Sequence, residues 1–300
     1  MAGCRLCPRL CNADRSLGER GACGADDKLL VSHVMLHHWE EPPISGTAGS
    51  GTIFFPGCSL RCVYCQNQAI SRSLGGRESS VDDLASEMIS LQEAGAMNVN
   101  LVSPTHFASS IRASIHKARE RGLRLPIVWN TSGYETVEAL RDNAGFVDVY
   151  LTDFKYADSH LAGQLSGAAD YPTWALEALA EMIAQVGEPV YDDHQGSQRL
   201  VRGVVVRHLI LPGQVEASLE MLRLLRSRFG SGLRLSLMSQ YTPVIPSGSP
   251  ILCSFPELGR ALTSDEYECV LDAADELGFE DYFWQEGDPA QESFIPDFDI

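Results

Sequence analysis

The chain has 300 residues, 44% of them hydrophobic, and a formal net charge of −17. That length buries one large core with an added piece more readily than two equal domains, and no apolar run approaches the roughly 20 residues of a membrane helix. From Asp265 to the end there are 13 acidic residues and no Lys or Arg, which leaves 27 acidic against 23 basic residues elsewhere and no basic cluster of the kind that tracks a nucleic-acid backbone. The acidity is thus read as a property of a solvated tail over residues 286–300 and the helix before it. Neither nucleic acid nor membrane is expected as a partner. The start, Met1-Ala2-Gly3-Cys4-Arg5, has no hydrophobic signal core, so a cytoplasmic location is expected. Nine cysteines in a reducing compartment favour metal ligation over disulfides.

Residues 1–50 are read as a Cys-rich, metal-binding appendage. Cys4, Cys7, Cys11 and Cys23 can complete either a tetrahedral zinc or a closed 4Fe–4S cluster, and thiolate softness does not choose between them. The surrounding glycines and charges form a turn-rich knuckle without a hydrophobic core, which a metal staple would have to hold together. An apolar run from Leu29 to Leu36 predicts one or two strands leading to His37-His38-Trp39-Glu40-Glu41-Pro42-Pro43. His33 and His37 have no obvious third ligand and are read as solvated or packing residues. The glycine-rich bend from Gly46 to Gly51 lacks the GxxxxGK pattern of a phosphate cradle.

The next stretch carries the chemistry. A short apolar strand at Ile53-Phe54-Phe55 runs into Cys58, Cys62 and Cys65, spaced CxxxCxxC. Such a loop can wrap three soft thiolates around one compact metal centre. A four-iron cubane needs four ligands, so three leave one iron open, and an open coordination position is where metal chemistry is done. A structural zinc loop or a disulfide knot is the alternative.

Beyond it, strand and helix alternate over residues 51–285. Ser80 caps a helix with Val81, Leu84, Met88 and Leu91 on one face, and Met97 to Val102 is the next strand. There follow a helix over 107–121, a strand from Pro126 to Asn130, a short helix near 135–143, and a strand from Val147 to Leu151. A helix over 172–186, a strand within Val201–Leu211, a helix carrying Leu219, Leu222 and Leu225, a strand from Leu233 to Met238, and a helix from Ser264 to Leu277 complete the pattern. The six strands are near-continuous apolar runs, as buried parallel strands are, so the expected fold is α/β, a partial six-stranded (β/α) barrel. Cys253 is read as a loop thiol and Cys269 as a helix packing residue.

Such folds place their sites at the C-terminal ends of the strands. There the sequence sets the cysteine loop, Ser103-Pro104-Thr105-His106, Asn130-Thr131-Ser132, Asp153 with Lys155, His208, and Gln240-Tyr241. Thr131, Ser132 or His106 could instead cap the next helix. Asp153 and Lys155 lie on one side of a strand, as a structural ion pair or as polar contacts to a ligand.

With Tyr64 just before its last cysteine, the loop closely resembles the signature of the radical SAM superfamily. From Cys4 to about Tyr241 the chain is similar to one branch of it, the pyruvate formate-lyase activating enzyme-like iron-sulfur proteins. The likeness is carried by CRLCPRLC at the start, EEPPISG, GSGTIFF, GCSLRCVYCQN, SPTH, WNTSGYE, YLTDFKY, LILPG and LMSQY. It implies that Cys58, Cys62 and Cys65 ligate a 4Fe–4S cluster whose open iron chelates S-adenosylmethionine. An electron from a donor such as flavodoxin or ferredoxin would then split the cofactor and generate a 5′-deoxyadenosyl radical that abstracts hydrogen. It also implies that Tyr64, Ser103, Thr105, His106, Asn130, Thr131 and Ser132 lie around the cofactor, with Asp153 and Lys155 near the reacting centre and His208 near the ribose. The family's usual Gly-Gly-Glu-Pro element after the second strand is replaced here by Ser103-Pro104-Thr105-His106, and the N-terminal cysteines are absent from the simplest glycyl-radical activases. The expected activity is that of an oxidoreductase that abstracts hydrogen from a glycine of a protein substrate. Radical modification of another peptide or small molecule is the second reading, and a non-enzymatic electron carrier or zinc protein the third.

Overall fold

The computed structural model describes residues 3–285, so the tail expected at 286–300 lies outside the described residues. Its strands are β1 (Leu30–Val31), β2 (His33–His37), β3 (Ser50–Phe54), β4 (Arg77–Glu78), β5 (Val99–Val102), β6 (Ile127–Thr131), β7 (Val149–Asp153), β8 (Val190–His194), β9 (Ser197–Leu209), β10 (Leu235–Met238) and β11 (Tyr282–Phe283). The helices are α1 (Pro42–Ser45), α2 (Gln68–Ser71), α3 (Val81–Glu93), α4 (Ala108–Glu120), α5 (Val137–Arg141), α6 (Ser159–Ser166), α7 (Tyr171–Val186), α8 (Val215–Phe229), α9 (Ile251–Ser254) and α10 (Ser264–Glu276).

All six strands expected from the sequence form. They are β3, β5, β6, β7, β9 and β10, each parallel to its neighbour, and β11 adds a seventh parallel strand beside β10. The sheet order is β11-β10-β9-β7-β6-β5-β3-β2, and its ends do not pair, so the barrel is partial. β2 is antiparallel to β3 and starts at the end where β3 finishes, pairing His33 with Phe54 and His37 with Ser50. It therefore carries the chain from the C-terminal mouth of the barrel down to its floor. There α1 packs against β9, and Ile44 joins a small apolar cluster with Val128, Val149, Leu151, Leu200 and Val205.

Residues 1–50 are accordingly not an appendage. β2 is a strand of the sheet, α1 plugs the floor, and Cys23, Ala25, Leu29 and Val31 belong to the main hydrophobic core. Sequence reading missed the β8–β9 hairpin, whose two-residue turn holds Gln195 and Gly196 at φ of 55° and 81°. These values suit a type I′ turn, but Gln-Gly between charged residues is a weak signal for one. The α3 cap forms as expected, with the Ser80 hydroxyl accepting from Asp83 N at 3.1 Å and Asp83 accepting from Ser80 N at 3.0 Å. Cys253 lies on α9 and Cys269 on α10, both exposed, so Cys269 does not pack. Among the described residues no helix is long and apolar enough to cross a membrane.

The period of two along each strand decides which side chains see the barrel interior. On β9, Val205 joins the interior cluster, whereas Val204 and Val206 join the helix-side core. Arg207 shares the parity of Val205 and His208 that of Val206. His208 is buried against α8, its Nδ1–H donating to the Phe154 carbonyl and its Nε2 accepting from the Ser218 hydroxyl, both at 2.9 Å. His208, expected near the ribose, thus has both ring nitrogens engaged on the α8 side and does not line the mouth cavity.

Burial pushes the His208 imidazole down from 6.5 to about 4, against the pull of the Phe154 carbonyl. A depressed histidine pKa gives stability that is complete above pH 6.5 and is lost as pH falls toward 4. Urea unfolding should thus show roughly 3 kcal/mol of acid destabilisation from this residue across that window. His208→Gln should flatten that part of the pH profile, and an undiminished slope in the variant would assign the loss to other groups.

Candidate active site

Between β3 and α2 the chain must turn sharply to place its cysteines over the mouth. Gly57 makes the turn at φ 89°, and a Cβ there would meet the Cys23 carbonyl oxygen at 2.8 Å. Val63 N donates to the Leu165 carbonyl at 2.8 Å, and Arg72 reaches the Cys62 carbonyl at 3.3 Å, pinning the loop to α6 and α2. Arg61 and Ser103, neither a glycine, hold left-handed φ of 57° and 56°, the kind of local strain that clusters at functional sites.

The loop rims a cavity of about 240 Å³ lined by Cys58, Cys62, Cys65, Tyr64, Ser103, Asn130, Thr131, Ser132, Asp153 and Lys155. Its volume is near the lower end of small-molecule sites, roughly 300 Å³. These ten are residues that the sequence placed at the strand ends, now brought together from β3, β5, β6 and β7. Three others are not among them: His208, which is buried against α8, and two from the loop after β5. Thr105 and His106 line a neighbouring pocket with Cys4, Cys7, Cys11 and Cys23. Neither His106 nor the Thr131-Ser132 pair caps a helix: the His106 ring meets the Pro56 carbonyl at 2.7 Å, and α5 is capped by Thr136. Burial holds the His106 imidazole down at about 4, so the ring is neutral near pH 7.

Each thiol of the loop faces a donor. The Ser166 hydroxyl donates to Cys62 Sγ at 3.0 Å, the Ser71 hydroxyl lies 3.4 Å from Cys65 Sγ, and Leu60 N donates to Cys58 Sγ at 3.4 Å. Behind Cys62 runs a buried chain of hydroxyls, Tyr64 to Tyr156 at 2.7 Å and Tyr156 to Ser166 at 2.7 Å, so a residue of the cavity wall is linked to a loop sulfur. Burial pushes the Cys62 thiol up to about 11 and also raises Cys65, while the Lys155 charge opposes both. Lys155 is itself buried, which favours its neutral form, but Asp153 at 2.6 Å and the nearby Cys62 outweigh burial and hold its pKa well above the ordinary lysine value. The Asp153–Lys155 pair is thus an ion pair and at the same time part of the cavity wall.

Sequence reading missed the polar floor. Arg207 and Glu40 both line the cavity. The Arg207 guanidinium donates to Glu41 at 2.8 and 2.6 Å and is also bonded to Glu40, whose other oxygen accepts from Asn100 at 2.8 Å and Asn130 at 3.4 Å. Burial alone would raise the Glu41 carboxyl, but the Arg207 charge and the Ser236 hydroxyl keep it below the ordinary carboxylate value. Strand parity was the signal available for Arg207. Glu135, also missed, is buried beneath the mouth and accepts from Trp129 Nε1 at 3.1 Å and from the Thr105 hydroxyl, tying the loops after β5 and β6 together.

All nine cysteines are free. Among the described residues no three His, Cys, Asp or Glu side chains converge as they would on one metal ion. The loop thiols instead rim a cavity, each with a hydrogen-bond donor of the sort that steadies sulfur ligands of iron–sulfur centres. The disulfide-knot alternative therefore finds no pairing here.

A parallel α/β barrel with three thiols at its C-terminal mouth defines a metal-dependent barrel enzyme class. Residues 52–225 match the family model of the Radical SAM superfamily, and the chain belongs to that family. An uncharacterized protein of Methanocaldococcus jannaschii is 27% identical over 288 residues, covering 92% of this chain and 75% of its own. Among solved structures, Streptococcus suis SuiB bound to its precursor peptide SuiA superposes with a TM-score of 0.51 at 15% identity, over 78% of this chain and 48% of that one. SuiB bound to S-adenosylmethionine gives 0.51 at 14% identity, over 78% and 49%. The chain spans about half the length of those two structures, and the likeness shows the fold. The family implies a 4Fe–4S cluster and S-adenosylmethionine, and the donor set fits them: three thiols of suitable softness rim a polar cavity large enough for a small ligand.

The Ser166 bond to Cys62 should favour the more negative state of any centre that Cys62 holds. Ser166→Ala in the reconstituted protein is expected to lower its reduction potential by roughly 40 mV, the equivalent of about 1 kcal/mol for one electron. A potentiometric titration followed by EPR measures it, and an unaltered potential would mean that the hydroxyl chain serves packing alone.

Proposed function

We propose that the protein is a radical SAM enzyme that abstracts a hydrogen atom at the mouth of its barrel, with a glycine of a partner enzyme as the first substrate class. The observation that carries the radical reading is that three thiols, and no fourth, line the mouth cavity. Held by Cys58, Cys62 and Cys65, the cluster together with S-adenosylmethionine would supply the family's radical chemistry, by which a hydrogen atom would be taken from the substrate.

In this reading Cys58, Cys62 and Cys65 are the cluster ligands, and Ser166, Ser71 and the Leu60 amide steady their sulfurs. Ser103, Asn130, Thr131 and Ser132 offer polar contacts to the amino-acid end of the cofactor. Lys155 keeps its proton and supplies a fixed positive charge beside the thiolates, oriented by Asp153. Tyr64, buried in the wall, keeps water from the reacting face. Electrons would come from a flavodoxin- or ferredoxin-like donor. The glycyl substrate rests on the resemblance of the sequence motifs to the activating-enzyme-like branch, and another peptide or a small molecule is the competing class.

Anaerobically reconstituted protein with dithionite and S-adenosylmethionine should form 5′-deoxyadenosine, and the Cys58, Cys62, Cys65 to Ala variant should form none. Lys155→Met should keep its iron and lose roughly a hundredfold in rate, as removal of a preorganised charge does. A loaded protein that never cleaves the cofactor, and whose EPR signal ignores it, would sink the proposal in favour of an electron carrier. A persistent glycyl radical on an incubated partner would establish the substrate class, whereas its absence alongside a modified peptide or metabolite would replace it.

A further inference from the structure

We propose that Cys4, Cys7, Cys11 and Cys23 hold a second, several-atom iron–sulfur centre, and that the knuckle it ties together backs one wall of the cofactor cavity. The metal site stands on its own residues; its role behind that wall rests on the function proposed above.

The four thiols line a single pocket. Cys4 and Cys11 are hydrogen-bonded. Backbone amides point at the sulfurs: Ala13 and Ala22 at Cys11, Ala25 at Cys23, and Arg9 at Cys7. Amides aimed at sulfur are what a loop presents to thiolate ligands, because they offset charge that the metal does not neutralise. Gly21 leaves the cradle open, since a Cβ there would stand 3.3 Å from Cys11 Sγ and 3.5 Å from Cys23 Sγ. Leu10 and Asn12 adopt left-handed φ of 41° and 53° without being glycine. Such a backbone persists when something else holds it in place, and this segment has little apolar packing to do so.

The placement gives the site its consequence. Cys58, Ser103, Thr131 and Ser132 line both this pocket and the mouth cavity, so one layer of side chains separates the two. The knuckle is fastened to that layer by Arg9, which donates to the Ser59 and Ser166 carbonyls at 2.9 and 3.0 Å, and by Arg15, which donates to the His106 carbonyl at 2.5 Å. Loosening the knuckle would release the loops after β3 and β5 together.

The first test uses the full chain with Cys58, Cys62 and Cys65 changed to Ala, in which the radical chemistry cannot operate. After reconstitution it should retain about four irons with matching acid-labile sulfide, and adding Cys4→Ser and Cys11→Ser should remove them. Zinc alone would overturn the cluster, and no bound metal would overturn the site. The second test keeps the mouth cysteines. Cys4→Ser/Cys11→Ser protein, or the milder Gly21→Val should the double variant fail to fold, is expected to bind S-adenosylmethionine at least tenfold more weakly by calorimetry while keeping the iron of the mouth cluster. Unchanged affinity would overturn the role behind the wall. Wild-type protein that binds two clusters yet does not cleave the cofactor would leave the second site standing while the function above fails.

Discussion

The guanidinium of Arg207 inside the barrel is the constraint on which the lower half of the molecule depends. Burying such an ion costs several kcal/mol unless it is paired and fully hydrogen-bonded, and a strand of valines offers it nothing. Its partners, Glu40 and Glu41, come from a segment far away in sequence that must pass beneath the barrel to reach it. The antiparallel pairing of β2 with β3 delivers the chain to that position, and Pro42 at the first position of α1 turns it into the plug. Ile44 then seals the interior apolar cluster, with its carbonyl fixed by Asn98 Nδ2 at 2.7 Å. Breaking the ion triad would thus loosen the plug as well as strand a charge. The cavity consequently has a floor, and its open side is the mouth where the thiols stand.

That floor also biases the field above it. Two carboxylates share one guanidinium, leaving an excess negative charge below Asn130, whereas the Lys155 ammonium stands among the sulfurs at the rim. Three thiolates crowded into a buried loop repel one another, and burial holds Cys62 and Cys65 protonated in the absence of metal. Metal binding must displace those protons, so loading is coupled to pH, and the hydroxyl donors and Lys155 lower the cost of the charge that results.

The upper half of this arrangement was legible in the sequence and the lower half was not, for a definite reason. The mouth residues follow directly after apolar runs, so finding the strands finds Cys58, Asn130 and Asp153. Arg207 and His208 are neighbours on one strand, and only the period of two separates them. The histidine, chemically the more suggestive, points at α8, whereas the arginine faces the interior beside Val205. Glu40 and Glu41 could not be placed from local pattern, because their role is fixed by a partner more than 160 positions away. The hairpin of β8 escaped because its turn is made by Gln195-Gly196, and β11 because two residues carry too little periodicity to register.

The misplaced domain boundary has a physical cause with consequences of its own. A turn-rich, thiol-bearing segment without a core looks separable, yet Cys23 is buried in the main core and Gly57 lacks a side chain where the Cys23 carbonyl comes within 2.8 Å of the position a Cβ would take. Such close backbone approach excludes an independent module on a tether. The segment leading into the plug and the mouth loop line one cavity from different stretches of the first 65 residues, the six-strand sheet supplies the rest, and the cysteine knuckle packs behind the mouth loop. A metal bound at either thiol set would therefore stabilise the native state as a whole, because its ligands are ordered only when the barrel is formed, and metal affinity and fold stability become one linked quantity.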